Sequence, residues 1–89
     1  MATKTATIGS KVGLHARPAA MFVQAVTATG LPVTIAKEGG DPVDARSLLA
    51  VMAQSFSYGT KVTLSAEGDG AEEKLEELAN MLDSDLDEA

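Results

Sequence analysis

The sequence predicts an α+β fold of two layers, with helices on one face of a largely antiparallel β-sheet. Stretches in which apolar and polar residues alternate, typical of half-buried strands, are interleaved with apolar stripes at helical spacing in the order βαββαβα. Packing every stripe against one face of a sheet buries all of them together. With 89 residues the chain has room for one domain, so we expect a single unit over residues 1–89, with an acidic tail that frays from about residue 83.

The first two predicted elements are a strand and a helix. Residues 3–8 predict a strand because Ala6 and Ile8 alternate with threonines. A loop leads on to His15, and an apolar stripe from Pro18 to Val26 then predicts a helix, since proline is favoured in the first helical turn. Gly30 is expected to end this helix.

A hairpin and a short helix come next. Residues 33–35 and 43–45 alternate in polarity around a turn that contains two glycines, which predicts two paired strands. Pro42 cannot donate to a ladder, so its strand should be short and lie at a sheet edge. Residues 47–54 then predict a helix, with Ser47 as its N-cap.

The last strand and the last helix have the clearest patterns. Strict alternation over residues 60–66 predicts a strand. Asp69 and Glu72, three residues apart, resemble a capping box, and the apolar stripe behind them predicts a core-facing helix. That stripe consists of Leu75, Leu78, Ala79 and Leu82.

The composition excludes several classes of function. The chain has no cysteine, which removes disulfides, thiolate metal sites and a cysteine nucleophile and favours a cytoplasmic location. Its formal charge is −6, and two phenylalanines and one tyrosine are its only aromatic residues, so a basic groove with stacked bases is not available and nucleic acid is not an expected partner. No apolar run is long enough to span a bilayer, and we expect no membrane insertion.

His15 is the candidate reactive residue. It is the only histidine, which excludes a multi-histidine metal site, and we expect neither a metal nor a cofactor. It lies at the predicted start of the first helix, where free amides and the helix dipole favour anions and disfavour a protonated imidazole. A neutral imidazole there could attack a phosphorus centre, and the amides of Ala16 and Arg17 would face the oxygens of the phosphoramidate that forms.

Arg17 and Pro18 complete this candidate site. The planar guanidinium of Arg17 matches phosphate oxygens, and the fixed backbone angle of Pro18 helps to hold the helix start. A plainer interpretation stays open from the residues alone. In that interpretation His15 caps the helix, Arg17 is solvated and Pro18 only begins the helix.

Three longer motifs favour the reactive interpretation. Residues 13–20, Gly-Leu-His-Ala-Arg-Pro-Ala-Ala, resemble the active-site signature of the HPr family, the histidine-containing phosphocarriers of the bacterial phosphoenolpyruvate:sugar phosphotransferase system. Residues 45–49 resemble the second family signature, and residues 59–68 resemble the last-strand segment. The resemblance covers the chain except for its extreme termini.

The resemblance implies a fold, a reaction and partners. The fold would be an open-faced sandwich, a four-stranded antiparallel sheet of order 1-4-2-3 with three helices on one face. Enzyme I, charged by phosphoenolpyruvate, would phosphorylate His15 on Nδ1, Arg17 would stabilise the phosphoryl group, Ala16 and Pro18 would shape the helix start, and the group would pass to enzyme IIA proteins for sugar uptake. The chain would be a monomeric cytoplasmic carrier and not an enzyme.

Ser47 is a second candidate site. The resemblance implies that in some bacteria the matching serine is phosphorylated by an ATP-dependent kinase, which blocks transfer from enzyme I and can recruit a transcriptional regulator. Added charge on an acidic protein could repel an acidic docking face. Capping of its helix explains Ser47 equally well.

An apolar group on the two helices is the candidate interface. Leu48 and Met52 share one helix face, with Leu49 beside them. The resemblance implies that these three, with Ala20 and Met21, contact partner proteins; packing in the core is the competing explanation.

Two other functions stay open at this point. One is a regulatory paralogue that signals through its phosphorylation state. The other is a binding domain in which His15 is inert.

Overall fold

The computed structural model describes residues 1–11, 13–14, 16–54 and 56–84. Over these residues the elements follow the predicted order βαββαβα. The strands are β1 (Ala2–Thr7), β2 (Thr34–Lys37), β3 (Val43–Asp44) and β4 (Lys61–Ala66). The helices are α1 (Ala16–Thr29), α2 (Leu48–Ala53) and α3 (Ala71–Asp83).

The sheet is antiparallel throughout and has the order β1-β4-β2-β3. β1 pairs with β4 along its whole length, with Ala2 opposite Ala66 and Thr7 opposite Lys61. β2 lies on the other side of β4 and carries β3 at its outer side. The predicted order 1-4-2-3 is therefore confirmed, and β1 and β3 are the edge strands.

Alternation along the strands separates the two faces of the sheet. Val62 and Leu64 of β4 are buried on the face that the helices cover, together with Ile35 of β2. On the other face, Thr5 of β1 is exposed and lies opposite Thr63 of β4. α3 packs on β1 and β4, and α1 packs on α2 and α3, so the three helices form one layer.

A single hydrophobic cluster fills the space between the layers. Its largest members with essentially no exposure come from strands, helices and loops, and they include residues of the predicted stripes of the first and last helices. They are Ile8, Phe22, Val26, Val33, Ile35, Val51, Val62, Leu64, Leu75 and Leu82.

The predicted ends of the elements are mostly confirmed. Gly30 follows the last residue of α1 with a φ of 73°, a conformation that glycine adopts without steric cost. β3 has two residues and lies at the edge, as Pro42 predicts. Ser47 is the N-cap of α2.

The predicted capping box at Asp69 is wrong. α3 has Gly70 as its N-cap, with a φ of 75° and no side-chain hydrogen bond to the cap. Asp69 therefore lies one residue before the cap, and Glu72 is the second helical residue. A capping box needs its two members at the cap and at the third helical position, so this pair is out of register.

The far end of α3 is tied to the sheet within the described residues. The carboxylate of Asp83 accepts a hydrogen bond from the Thr7 amide at 2.8 Å. Residues 85–89 lie outside the described residues, so fraying of the acidic tail stays a prediction. None of the described helices combines the length and apolar character that a membrane span requires.

Candidate phosphoryl-transfer site

The predicted site lies where the loop after β1 meets α1. His15, its central residue, lies outside the described residues. The structure describes its neighbours on both sides, namely Gly13 and Leu14 before it and Ala16 to Pro18 after it. The geometry of the site is therefore derived from these neighbours.

Two backbone hydrogen bonds hold the loop just before His15. The amide of Leu14 donates to the carbonyl of Phe56 at 2.8 Å, and the amide of Gly13 donates to the carbonyl of Ser10 at 2.9 Å. The Leu14 side chain is 4% exposed, so it anchors the loop in the core. This part of the loop is fixed by the segment that precedes β4.

Gly13 is required by that arrangement. Its φ is 75°, and a Cβ at this position would lie 2.5 Å from the carbonyl oxygen of Phe56. Any other residue would be strained by its backbone conformation and would also displace the neighbouring segment. The glycine lets the loop pass close to the backbone at Phe56.

The start of α1 favours an anion. The first amides of a helix have no carbonyl partner within the helix, and the dipole places partial positive charge there. Ala16 and Arg17 are exposed, whereas Pro18 and Ala19 are buried. The first turn contains no acidic side chain that would compete for these amides. This end of α1 therefore faces solvent and can receive phosphate oxygens.

Arg17 is exposed at the same helix start. Within the described part of the chain it makes no ion pair, since the two ion pairs found there join Lys4 with Glu72 and Arg46 with Asp44. Its guanidinium is therefore not held by an ion pair to any described residue. A planar guanidinium binds two phosphate oxygens together.

The candidate interface residues lie at the surface. Leu49 is 82% exposed, and Leu48 and Met52 are each 39% exposed. Val51 on the same helix is fully buried. We call Leu48, Leu49 and Met52 the apolar patch. α1 packs beside α2 and carries the half-buried Ala20 and Met21.

Ser47 is half-buried and caps α2. Its Oγ accepts a hydrogen bond from the Ala50 amide at 3.2 Å. The turn before it is braced by Asp44, whose Oδ1 accepts from the backbone amide of Arg46 at 2.9 Å and from Arg46 Nε at 3.1 Å. These hydrogen bonds from Arg46, side chain first and backbone second, lower the pKa of the Asp44 carboxyl below its ordinary value.

Sequence reasoning missed the residue that supports the loop. Phe56 is 2% exposed, its backbone carbonyl holds Leu14, and the Lys37 ammonium lies 5.8 Å from the centre of its ring. The carbonyl belongs to the main chain, so no side-chain pattern marks it. The glycine at position 13 was the one available signal of a close backbone approach.

A surface depression of about 760 Å³ lies at the opposite end of β1 from this loop. It is lined by Met1, Gly70 and several glutamates, including Glu67, Glu72 and Glu73. Carboxylates repel phosphate, so this depression does not suit a phosphoryl group. Among the described residues no cluster of acidic or histidine side chains has a geometry that could hold a metal ion.

Comparison with known proteins agrees with the predicted fold and identifies the family. The family model for the PTS HPr component phosphorylation site matches residues 2–84. The phosphocarrier protein HPr of Streptomyces coelicolor is 48% identical over 88 residues, which cover 99% of this chain and 95% of that protein. The HPr-like protein Crh of Bacillus subtilis is 45% identical over 69 residues, 78% of this chain and 80% of that protein.

A solved structure shows the same architecture. HPr from Thermoanaerobacter tengcongensis superposes with a TM-score of 0.88 and 38% identity, over 100% of this chain and 99% of that one. The match supports the strand order and the arrangement of the three helices. The chain belongs to the HPr family of phosphocarrier proteins of the phosphotransferase system.

Proposed function

We propose that the chain accepts a phosphoryl group from enzyme I on His15 Nδ1 and passes it to enzyme IIA proteins during sugar uptake. The observation that carries this proposal is the family match over residues 2–84, which is described for a phosphorylation site and contains the chain's only histidine. The exposed helix start beside that histidine supports the proposal, because it offers amides and a guanidinium to an anion.

The proposed transfer is a displacement at phosphorus. The lone pair on Nδ1 forms a bond to phosphorus, and the bond between phosphorus and its carrier atom in enzyme I breaks, leaving that electron pair on enzyme I. Negative charge on the transferred oxygens is offset by Arg17 and by the first amides of α1. Transfer to enzyme IIA repeats the exchange with this chain as the donor, so the protein is a carrier without turnover of its own.

The apolar patch is proposed as the docking surface for both partners. Leu49 is 82% exposed, which is unusual for leucine in a small domain whose other apolar side chains are mostly buried. Ala20 and Met21 on α1 extend the patch towards the start of that helix. Docking there would bring the phosphoryl donor to the start of α1.

Mass spectrometry tests the proposal directly. Incubation with phosphoenolpyruvate and enzyme I should add one phosphoryl group that is lost in acid, since a phosphoramidate hydrolyses there. His15→Ala should abolish the addition, while Lys74→Ala, an exposed change on α3, should leave it intact. An unmodified wild-type mass, or acid-stable phosphate on His15→Ala, would contradict the proposal.

A regulatory role is the second candidate, and one observation favours it. The 45% identical relative from Bacillus subtilis is the HPr-like protein Crh, so the family includes proteins other than those named HPr. In this version the phosphorylation state of His15, or of Ser47 through an ATP-dependent kinase and a transcriptional regulator, carries a signal.

Two measurements separate the candidates. Normal sugar uptake in a strain that lacks this chain favours regulation, and lost uptake favours transport. Acid-stable phosphate that appears with ATP and a cell extract, and is absent in Ser47→Ala, would identify the Ser47 reaction. Without such a product the regulatory version would depend on His15 alone.

A further inference from the structure

The end of α3 occupies the outer edge of β1. Because β1 is an edge strand, alternate amides point away from β4. The Thr7 amide donates to Asp83 Oδ1 at 2.8 Å, and the Gly9 amide donates to the Leu82 carbonyl at 2.8 Å. The Ile8 amide between them points the other way and donates to the Thr60 carbonyl at 2.9 Å. The helix end thus pairs with the strand just where it becomes the loop.

The backbones of Gly9 and Asp83 lie so close together that position 9 has no room for a side chain. A Cβ on Gly9 would lie 2.0 Å from the carbonyl oxygen of Asp83. Gly9 is not among the glycines with positive φ, so the restriction comes from this contact and not from an unusual backbone conformation. The last carbonyls of a helix lack partners within the helix, so the bond from Gly9 also satisfies Leu82.

The loop that follows Gly9 is held by further backbone hydrogen bonds on the way to α1. Ser10, which follows Gly9, is 1% exposed, and its carbonyl accepts the Gly13 amide at 2.9 Å. The next amide, that of Leu14, is held by Phe56 at 2.8 Å. The described part of this loop, residues 9–11 and 13–14, is therefore held at one end by α3 and at the other end by the segment before β4.

From this geometry we infer that the Leu82–Asp83 end of α3 is a positioning element for phosphoryl transfer. By holding the exit of β1, Asp83 fixes the loop on which the placement of the reactive imidazole depends. Asp83 contacts no reacting atom and is a positioning residue. The inference rests on the proposed function, because it concerns the rate at which that site is phosphorylated.

Three variants isolate the hydrogen bond. Asp83→Ala removes the acceptor for the Thr7 amide. Asp83→Asn removes the same charge but keeps a side-chain oxygen that can accept, so it should rescue the alanine variant. Ser84→Ala is the matched control, because it deletes a hydrogen bond from Ser84 Oγ to the Met81 carbonyl, 2.7 Å long, that lies wholly within the same helix end.

The first readout is the initial rate of phosphorylation by enzyme I. Asp83→Ala should slow it about threefold to tenfold, the effect of losing one ordinary solvent-exposed hydrogen bond, at a concentration where the wild type is not saturating. Asp83→Asn should recover most of the rate, and Ser84→Ala should keep the wild-type rate. A wild-type rate for Asp83→Ala, or equal losses in all three variants, would overturn the inference.

Amide hydrogen exchange gives a second readout that needs no partner protein. In Asp83→Ala, exchange should accelerate at Gly13 and Leu14 as well as at Thr7, relative to the sheet amide of Ile35. Faster exchange confined to Thr7 would show that the loop does not transmit the change and would overturn the inference. If the wild type takes up no phosphoryl group, the proposed function fails, and exchange still decides whether α3 positions the loop.

Discussion

Replacement of Leu49 by alanine should weaken partner binding without weakening the fold. The side chain is 82% exposed, so nearly all of its apolar surface is available to a partner. Burial of the three carbons that the change removes is worth at most about 2.4 kcal/mol, and partial burial at an interface about 1–2 kcal/mol. The dissociation constant should therefore rise about fivefold to thirtyfold.

The assay compares two leucines that differ in burial. Isothermal titration calorimetry of Leu49→Ala with enzyme IIA should show the weaker binding, and the KM for this chain in the enzyme I reaction should rise in parallel. Its unfolding free energy should change by less than about 0.5 kcal/mol, as for other surface substitutions. Leu75→Ala, at a fully buried position, should instead cost about 2–5 kcal/mol of stability.

The dependence of the dissociation constant on salt distinguishes an apolar contact from a charged one. Because the lost contact carries no charge, the ratio of the two dissociation constants should stay the same at high ionic strength. Unchanged affinity of Leu49→Ala for both partners would refute the assignment of the apolar patch as a docking surface. A loss that vanishes in salt would show that the effect arises from nearby charges.

Three further predictions concern the supports of the site. Ser47→Ala removes the acceptor that caps α2 and should lower the unfolding free energy in urea by about 0.5–2 kcal/mol; an unchanged urea midpoint would show that the cap contributes nothing. Gly13→Ala places a Cβ 2.5 Å from the Phe56 carbonyl oxygen at a φ of 75°. It should lower the unfolding free energy by more than about 1 kcal/mol and slow phosphorylation. A wild-type unfolding free energy and a wild-type rate would show that the loop relaxes freely. The pKa of Asp44 is lowered from 3.8 by hydrogen bonds from Arg46. The stabilisation by the ionised carboxylate is therefore present above pH 3.8 and is lost as the pH falls through the lowered pKa. The Tm difference between wild type and Asp44→Asn should shrink over that pH range, and a difference independent of pH would contradict the prediction.

The fold could be predicted from the sequence because its patterns are local. Alternation along β4 and the stripe of α3 each specify one buried face, and the structure confirms both. Pro42 correctly indicated a short edge strand, since a residue without an amide hydrogen limits pairing. The capping residue of α3 was mispredicted because the choice between Asp69 and Gly70 depends on the backbone conformation of the turn, which composition does not specify.

The site was predictable only in part. Residues 13–20 identified the loop and the helix start, and the exposure of Arg17 agrees with the proposed role. The supports of the loop were not predictable, because the carbonyls of Phe56 and Leu82 are main-chain atoms that belong to residues distant in sequence. The geometry around His15 itself stays a prediction, since that residue lies outside the described ranges.

The face of the sheet that carries Thr5 and Thr63 offers a position for attaching a reporter group. Thr5 is exposed there, on the side away from the helical layer. Since the chain has no cysteine of its own, Thr5→Cys would create a unique thiol for a fluorescent dye or a surface tether. A reporter attached at this position leaves α1 and α2 unobstructed, so each step of the proposed phosphoryl transfer could be followed in real time on one immobilised molecule.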